Sequence, residues 1–163
     1  MGHLKEDLRE LACCALPAAL EAMGERWSFL ILRAAFNGLH HFEEMQATLG
    51  IARNILANRL GRLVDHGILL REPMADDRRK VEYRLTQKGA ELLPAMLALR
   101  QWGEKWEAGA PSTPVLVDAR DHQPIRPISI LSHDGRALAL HDLCWAHAED
   151  VKKIEPVRLA AVA

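Results

Sequence analysis

At Gly67 the spacing of apolar residues changes from helical to alternating, and two helices followed by a β-hairpin is the arrangement that fits it. Upstream, residues 41–49 place Phe42, Met45 and Leu49 on one helical face, the i, i+3, i+7 spacing of an amphipathic helix. Gly50 breaks that helix. A second helix over about residues 52–66 has Ile55, Leu56, Leu60 and Leu63 as its inner face. Its outer face carries Arg53, Asn54, Asn58, Arg59 and Arg62, and Gly67 ends it as a C-cap. Downstream, residues 68–74 and 80–85 read as strands, with Val81, Tyr83 and Leu85 alternating. The charged turn Ala75-Asp76-Asp77-Arg78-Arg79 joins them.

Further helices flank this core. Residues 4–23 repeat leucines at helical spacing (Leu4, Leu8, Leu11, then Leu16, Leu20 and Met23), with Pro17 expected in the first turn of a second helix. Residues 27–36 are apolar nearly all round, as in a buried central helix, and Asn37-Gly38 stops them. Thr86 is the expected N-cap of one long helix to about Trp106, striped by Leu92, Leu93, Met96, Leu99 and Trp102. Residues 109–114 (GAPSTP) form a linker by composition. The expected domains are therefore 1–108 and 109–163. In the second, residues 125–131 and 136–140 flank His133-Asp134-Gly135 as a hairpin. The fold class expected is mainly α with a β-hairpin wing (α+β): a winged helix-turn-helix with dimerising terminal helices and a small C-terminal hairpin appendage.

Charge sharpens this reading. The 163 residues sum to −1, which excludes nucleic-acid binding by bulk positive charge. Residues 51–90 nevertheless hold nine Lys/Arg against five Asp/Glu, a local excess on the second helix and the hairpin. A helix that docks its apolar face on the core can present Arg and Asn to base edges, Arg suiting guanine and Asn adenine. Arg53, Asn54 and Asn58 are the expected base readers. Arg62, Arg78, Arg79 and Lys80 are expected at phosphates or the minor groove, and Arg59 either at DNA or bracing its own helix. A solvated charged face would show the same pattern. The chain has no phosphate loop, no nucleophile with a partnered base and no clear metal set, so an enzyme is not expected.

The ordered motifs carry a resemblance. Cys14, Leu20, Gly24-Glu25-Arg26-Trp27, Leu30-Ile31-Leu32, His41-Phe42-Glu43-Glu44-Met45, Ile51, Leu56, Arg59-Leu60, Leu63 and Gly67-Ile68-Leu69 run in sequence. Val81-Glu82-Tyr83, Leu85-Thr86, Lys88-Gly89 and Leu93 follow. Over about residues 13–106 the chain resembles the HxlR family of bacterial winged-helix transcriptional regulators. The resemblance implies a homodimer on a double-stranded DNA operator of imperfect two-fold symmetry, most simply as a repressor. It also implies dimer contacts through the N-terminal helix and the long helix after the wing. The chain departs from the family pattern at Ala52, where a capping Ser is usual, at Ala57, and at His40-His41. A protein-interaction module on the same scaffold, without operator selectivity, is the rival reading.

Two kinds of sensing are open. The resemblance offers Cys14, with Cys13 beside it, as a thiol that answers oxidants or electrophiles. A helix N-terminus would favour the thiolate, and plain packing is the alternative for both cysteines. Trp27, Trp102 and Trp106 are candidate lining for a small apolar effector, with dimer core the simpler role for the last two. His122, His133, His141, Asp142 and Cys144 in the tail lack paired-cysteine ligand spacing. Neither a metal nor a cofactor is expected. Three cysteines, no apolar run of membrane-spanning length and a charged N-terminus predict a cytoplasmic protein without membrane attachment.

Overall fold

The computed structural model describes residues 14–74, 80–146 and 148–151. Two compact units divide the chain: Cys13–Ile128, and one carrying the residues from Ser129 onward. Cys13, Arg78, Arg79 and the predicted helix before Cys14 lie outside the described residues.

Helix α1 (Ala15–Met23) is N-capped by Cys14, whose Sγ accepts the Leu16 amide at 3.5 Å. Pro17 sits in its first turn, where the missing N–H breaks no helical bond. Helix α2 (Arg26–Phe36) is the central one, with Ser28, Ile31, Leu32, Ala34 and Ala35 buried. Helix α3 (Phe42–Leu49) ends at Gly50, which turns left-handed at φ 61°, a conformation that only glycine adopts freely. The buried Ile51 anchors the turn, and helix α4 (Arg53–Asp65) follows. Leu56, Leu60 and Leu63 of α4 meet Ile31, Leu32 and Met45 in a core fully closed to solvent. Ile55, expected on that inner face, is instead 37% exposed. The i, i+4, i+7 set of Leu56, Leu60 and Leu63 already fills the interface, and Ile55 lies one residue off it.

The amides of Gly67 and Ile68 return to Val64 and Leu63 at 2.8 Å each and stop α4. Strands β1 (Leu69–Pro73) and β2 (Val81–Leu85) then pair antiparallel, Leu69 with Leu85 and Pro73 with Val81. They form the wing. Its outer edge is joined to the segment before α3: the Tyr83 amide donates to His40 O at 2.8 Å, and His41 bridges Glu82, with Nε2 3.8 Å from the carboxylate.

The predicted long helix after the wing is interrupted. Helix α5 (Gln87–Ala90) and helix α6 (Leu93–Gly103) are separate, and a π-helical turn (Glu104–Ala108) continues α6. Pro94 explains the break, because it has no N–H to give Ala90 and its ring would crowd that carbonyl. Thr86 caps α5 as expected. Its Oγ1 donates to Gly67 O at 2.7 Å and accepts the Gly89 amide at 3.1 Å. Thr86→Ala should therefore destabilise the unit by about 1–2 kcal/mol, and Thr86→Ser should keep most of that. A urea midpoint that falls at unchanged slope for Ala, and barely moves for Ser, is the expected result.

Beyond the linker composition the chain stays with this first unit to Ile128. Arg100 donates to Pro114 O at 2.6 Å, the Glu104 carboxylate accepts the Ser112 amide at 3.2 Å, and Gln101 Oε1 accepts the Ile128 amide at 2.7 Å. The Ser112 hydrogen bonds, with Arg100, hold the Glu104 carboxyl below the ordinary carboxylate range. Residues 125–128 thus belong to this strap and not to the tail hairpin. In the second unit that hairpin is short: β3 (Ile130–Leu131) pairs with β4 (Ala137–Leu138) across a turn in which Gly135 has φ 84°. Ser132 closes the turn on Asp134 and accepts the Arg136 amide at 3.0 Å.

Candidate nucleic-acid interface

The outward face of α4 begins at an open end. Ala52 stands at the N-cap with no side-chain hydrogen bond, so the first amides of α4 are left to outside acceptors. Arg53 is held loosely against α3, its guanidinium over the Phe42 ring at 4.8 Å and 3.6 Å from Glu43. Its side chain stays 69% exposed, so it remains free to reach a base or phosphate. Asn54 and Asn58 are exposed one turn apart. Neither amide makes a hydrogen bond to another described residue, which leaves donor and acceptor of each available.

Arg59 and Arg62 are both engaged by acids of the same chain. Arg59 is ion-paired to Glu25, and its side chain is only 17% exposed. Arg62 donates to both the carbonyl and the carboxylate of Glu21 at 2.9 Å. Both acids lie at or before the α1–α2 turn, so these arginines tie α4 to the helices behind it. They belong to the outer arc by spacing alone, and the acids that claim them are 34 and 41 residues upstream. Lys80 is exposed at the foot of β2.

The candidate sensing residues do not gather in one place. Trp27 lies beside α4, around a depression of about 470 Å3 shared with Asn54, Ile55 and Asn58. Trp102 and Trp106 instead line an open groove of about 780 Å3 between α6, the π-helical turn and the strap. Cys14 is partly exposed at the N-cap of α1. Ile55 is the surface residue that sequence spacing missed. The available signal was that Leu56, Leu60 and Leu63 complete an inner face without it. Among the described residues no three of His, Cys, Asp and Glu converge as a metal set would. Among them, too, no helix is long and apolar enough to cross a membrane.

Known proteins share this architecture. A family model described as HxlR-like helix-turn-helix matches residues 22–110. An uncharacterised HTH-type transcriptional regulator of Mycobacterium tuberculosis is 46% identical over 88 residues, 54% of this chain and 56% of that relative. The match thus spans little more than half the length of that relative. YodB, an HTH-type transcriptional regulator of Bacillus subtilis, is 30% identical over 95 residues, 58% of this chain and 85% of YodB. The crystal structure of PA1607, described as a candidate transcription factor, superposes with a TM-score of 0.78 at 40% identity, over 85% of this chain and 98% of that one. The redox regulator HypR in its oxidised form superposes with a TM-score of 0.51 at 30% identity, over 56% of this chain and 96% of that one.

Proposed function

Because the chain belongs to the HxlR-like helix-turn-helix family, whose members matched here are transcriptional regulators rather than enzymes, we propose that it is a repressor that binds a two-fold operator as a homodimer. The observation that carries this is the outward face of α4: exposed Asn54 and Asn58 without a hydrogen-bond partner among the described residues, next to Arg53, on a helix whose inner face is sealed into the core. Arg53, Asn54 and Asn58 read base edges in the major groove. Lys80 contacts phosphate or the minor groove, the role also expected of Arg78 and Arg79, which lie outside the described residues. Arg59 and Arg62 set the angle of the helix. The homodimer is supported by apolar side chains that remain exposed: Leu16 and Leu20 on α1, and Leu93, Leu99 and Trp102 on α6, between 36% and 60% exposed. Uncovered rows of this kind mark a surface meant for a partner.

Asn54→Ala or Arg53→Ala should each weaken operator binding by about 1–3 kcal/mol and relax selectivity at one position. Lys80→Ala should weaken all sequences alike and flatten the salt dependence by about one contact. Mobility shift on the DNA upstream of the chain's own gene, across a salt series, separates the two patterns. Selectivity unchanged in both base-reader variants would remove α4 from the reading role. No selectivity at any salt would favour the interaction module.

For the switch, HypR is a redox regulator solved in its oxidised form. In this chain Cys14 Sγ accepts the Leu16 amide at the start of α1 and is partly exposed, so an oxidant or electrophile can reach it. Operator binding lost on adding diamide or a quinone, and retained in Cys14→Ser, is the expected result. Binding indifferent to these agents would direct attention to an apolar effector in the groove lined by Trp102 and Trp106.

A further inference from the structure

The Ile55 side chain is on the wrong side of α4 for the core. Leu56, Leu60 and Leu63 close the inner face, while Ile55 stands 37% exposed in the first turn of the helix. A β-branched residue there also gains nothing in helix propensity. What surrounds it is specific. Asn54 precedes it and Asn58 lies on the following turn, and all three border one depression walled by the half-buried Trp27. The remaining walls, Glu25 and Arg59, are ion-paired to each other, so the depression has an apolar side and an amide side with its charges matched.

We propose that Ile55 is a specificity-determining residue that packs on the C5-methyl group of a thymine, next to an adenine read by Asn54 or Asn58. The major-groove edge of thymine offers one apolar group, its methyl, and an apolar side chain is what recognises it. The adenine edge offers one acceptor and one donor, which a single Asn amide matches. An isoleucine flanked by two asparagines, with Trp27 behind it, is therefore fitted to a step that contains both bases. Each half-site of the operator carries such a step. This inference rests on the operator reading of α4 and adds to it a base that no hydrogen bond selects.

The test uses the full chain and the operator selected from a random duplex library. Each thymine of the half-sites is replaced in turn by deoxyuridine, which removes the methyl group and nothing else. Wild-type protein should bind about fourfold more weakly per half-site at one thymine position, the fold-change that burial of one methyl group supplies. Ile55→Ala should bind the thymine and deoxyuridine duplexes equally, while Ile55→Val, which keeps the branched methyls, should retain the preference. Thermal unfolding of both variants should stay near wild type, because no core cavity is opened. A thymine preference that survives in Ile55→Ala, or a wild type indifferent to deoxyuridine at every position, would overturn the assignment of Ile55 while leaving the operator reading intact. Failure to select any sequence from the library would overturn both.

Discussion

Gly89→Ala should destabilise the protein by about 3 kcal/mol or more, lowering Tm by about 10 °C. The sign is the informative part. Gly89 is helical, and alanine in place of a helical glycine normally gains up to about 1 kcal/mol. Here a Cβ would stand 2.2 Å from the Ile68 carbonyl oxygen and 3.1 Å from Leu85 Cδ2. The carbonyl cannot step aside cheaply. It accepts the Thr86 amide at 3.2 Å, while Thr86 Oγ1 and Lys88 Nζ hold the neighbouring Gly67 and His66 carbonyls at 2.7 Å. Room for one methyl group therefore means lifting α5 from the root of the wing, with those hydrogen bonds lost together. Thermal and urea unfolding of the variant check this directly. An unchanged or raised Tm would show that the contact between α5 and the start of β1 yields easily.

Charging the exposed stripe of α6 should have the largest effect on function. Leu99 and Trp102 are each 53% exposed and no α6 side chain is buried, so Leu99→Glu with Trp102→Glu leaves the fold of one chain nearly untouched. Two glutamates from each copy in one apolar contact would be desolvated without partners, which a dimer interface does not tolerate. The protein should become monomeric in sedimentation. Operator affinity should then fall about 100-fold or more, because the second half-site is no longer bound at high effective concentration. Affinity for an isolated half-site should stay unchanged. A double variant that remains dimeric would place the subunit contact elsewhere, and a monomer with full operator affinity would remove the need for two copies.

The helix-turn-helix and the wing were legible because the apolar period itself changes at Gly67, and both periods are local. Asn37-Gly38, Gly50 and Thr86 marked boundaries for the same reason: each acts on its own turn of chain. What sequence could not supply came from long-range partners. Arg59 and Arg62 share the outer arc of α4 with Asn54 and Asn58, and only their pairing with Glu25 and Glu21 sets them apart. Leu92 to Trp102 kept helical spacing straight through Pro94, so periodicity concealed a break that proline chemistry required. The strap after residue 108 looked like a linker because its attachments, Arg100, Gln101 and Glu104, are polar groups bonding backbone atoms more than one turn away. Spacing alone points Ile55 inward, because an apolar residue beside a core position is usually part of it.

The seam between His40-His41 and β2 has a consequence for control. Because Tyr83 bonds His40 and Glu82 meets His41, the start of α3 is sewn to the wing, and the two are tied into one piece. In the homodimer proposed above, two such pieces would work like the jaws of a calliper. A signal reaching α1 or α6 would have little purchase on how either jaw is shaped. It would act on the gap between them, so the quantity under regulation would be the distance from one half of the DNA site to the other, set against the fixed pitch of the double helix.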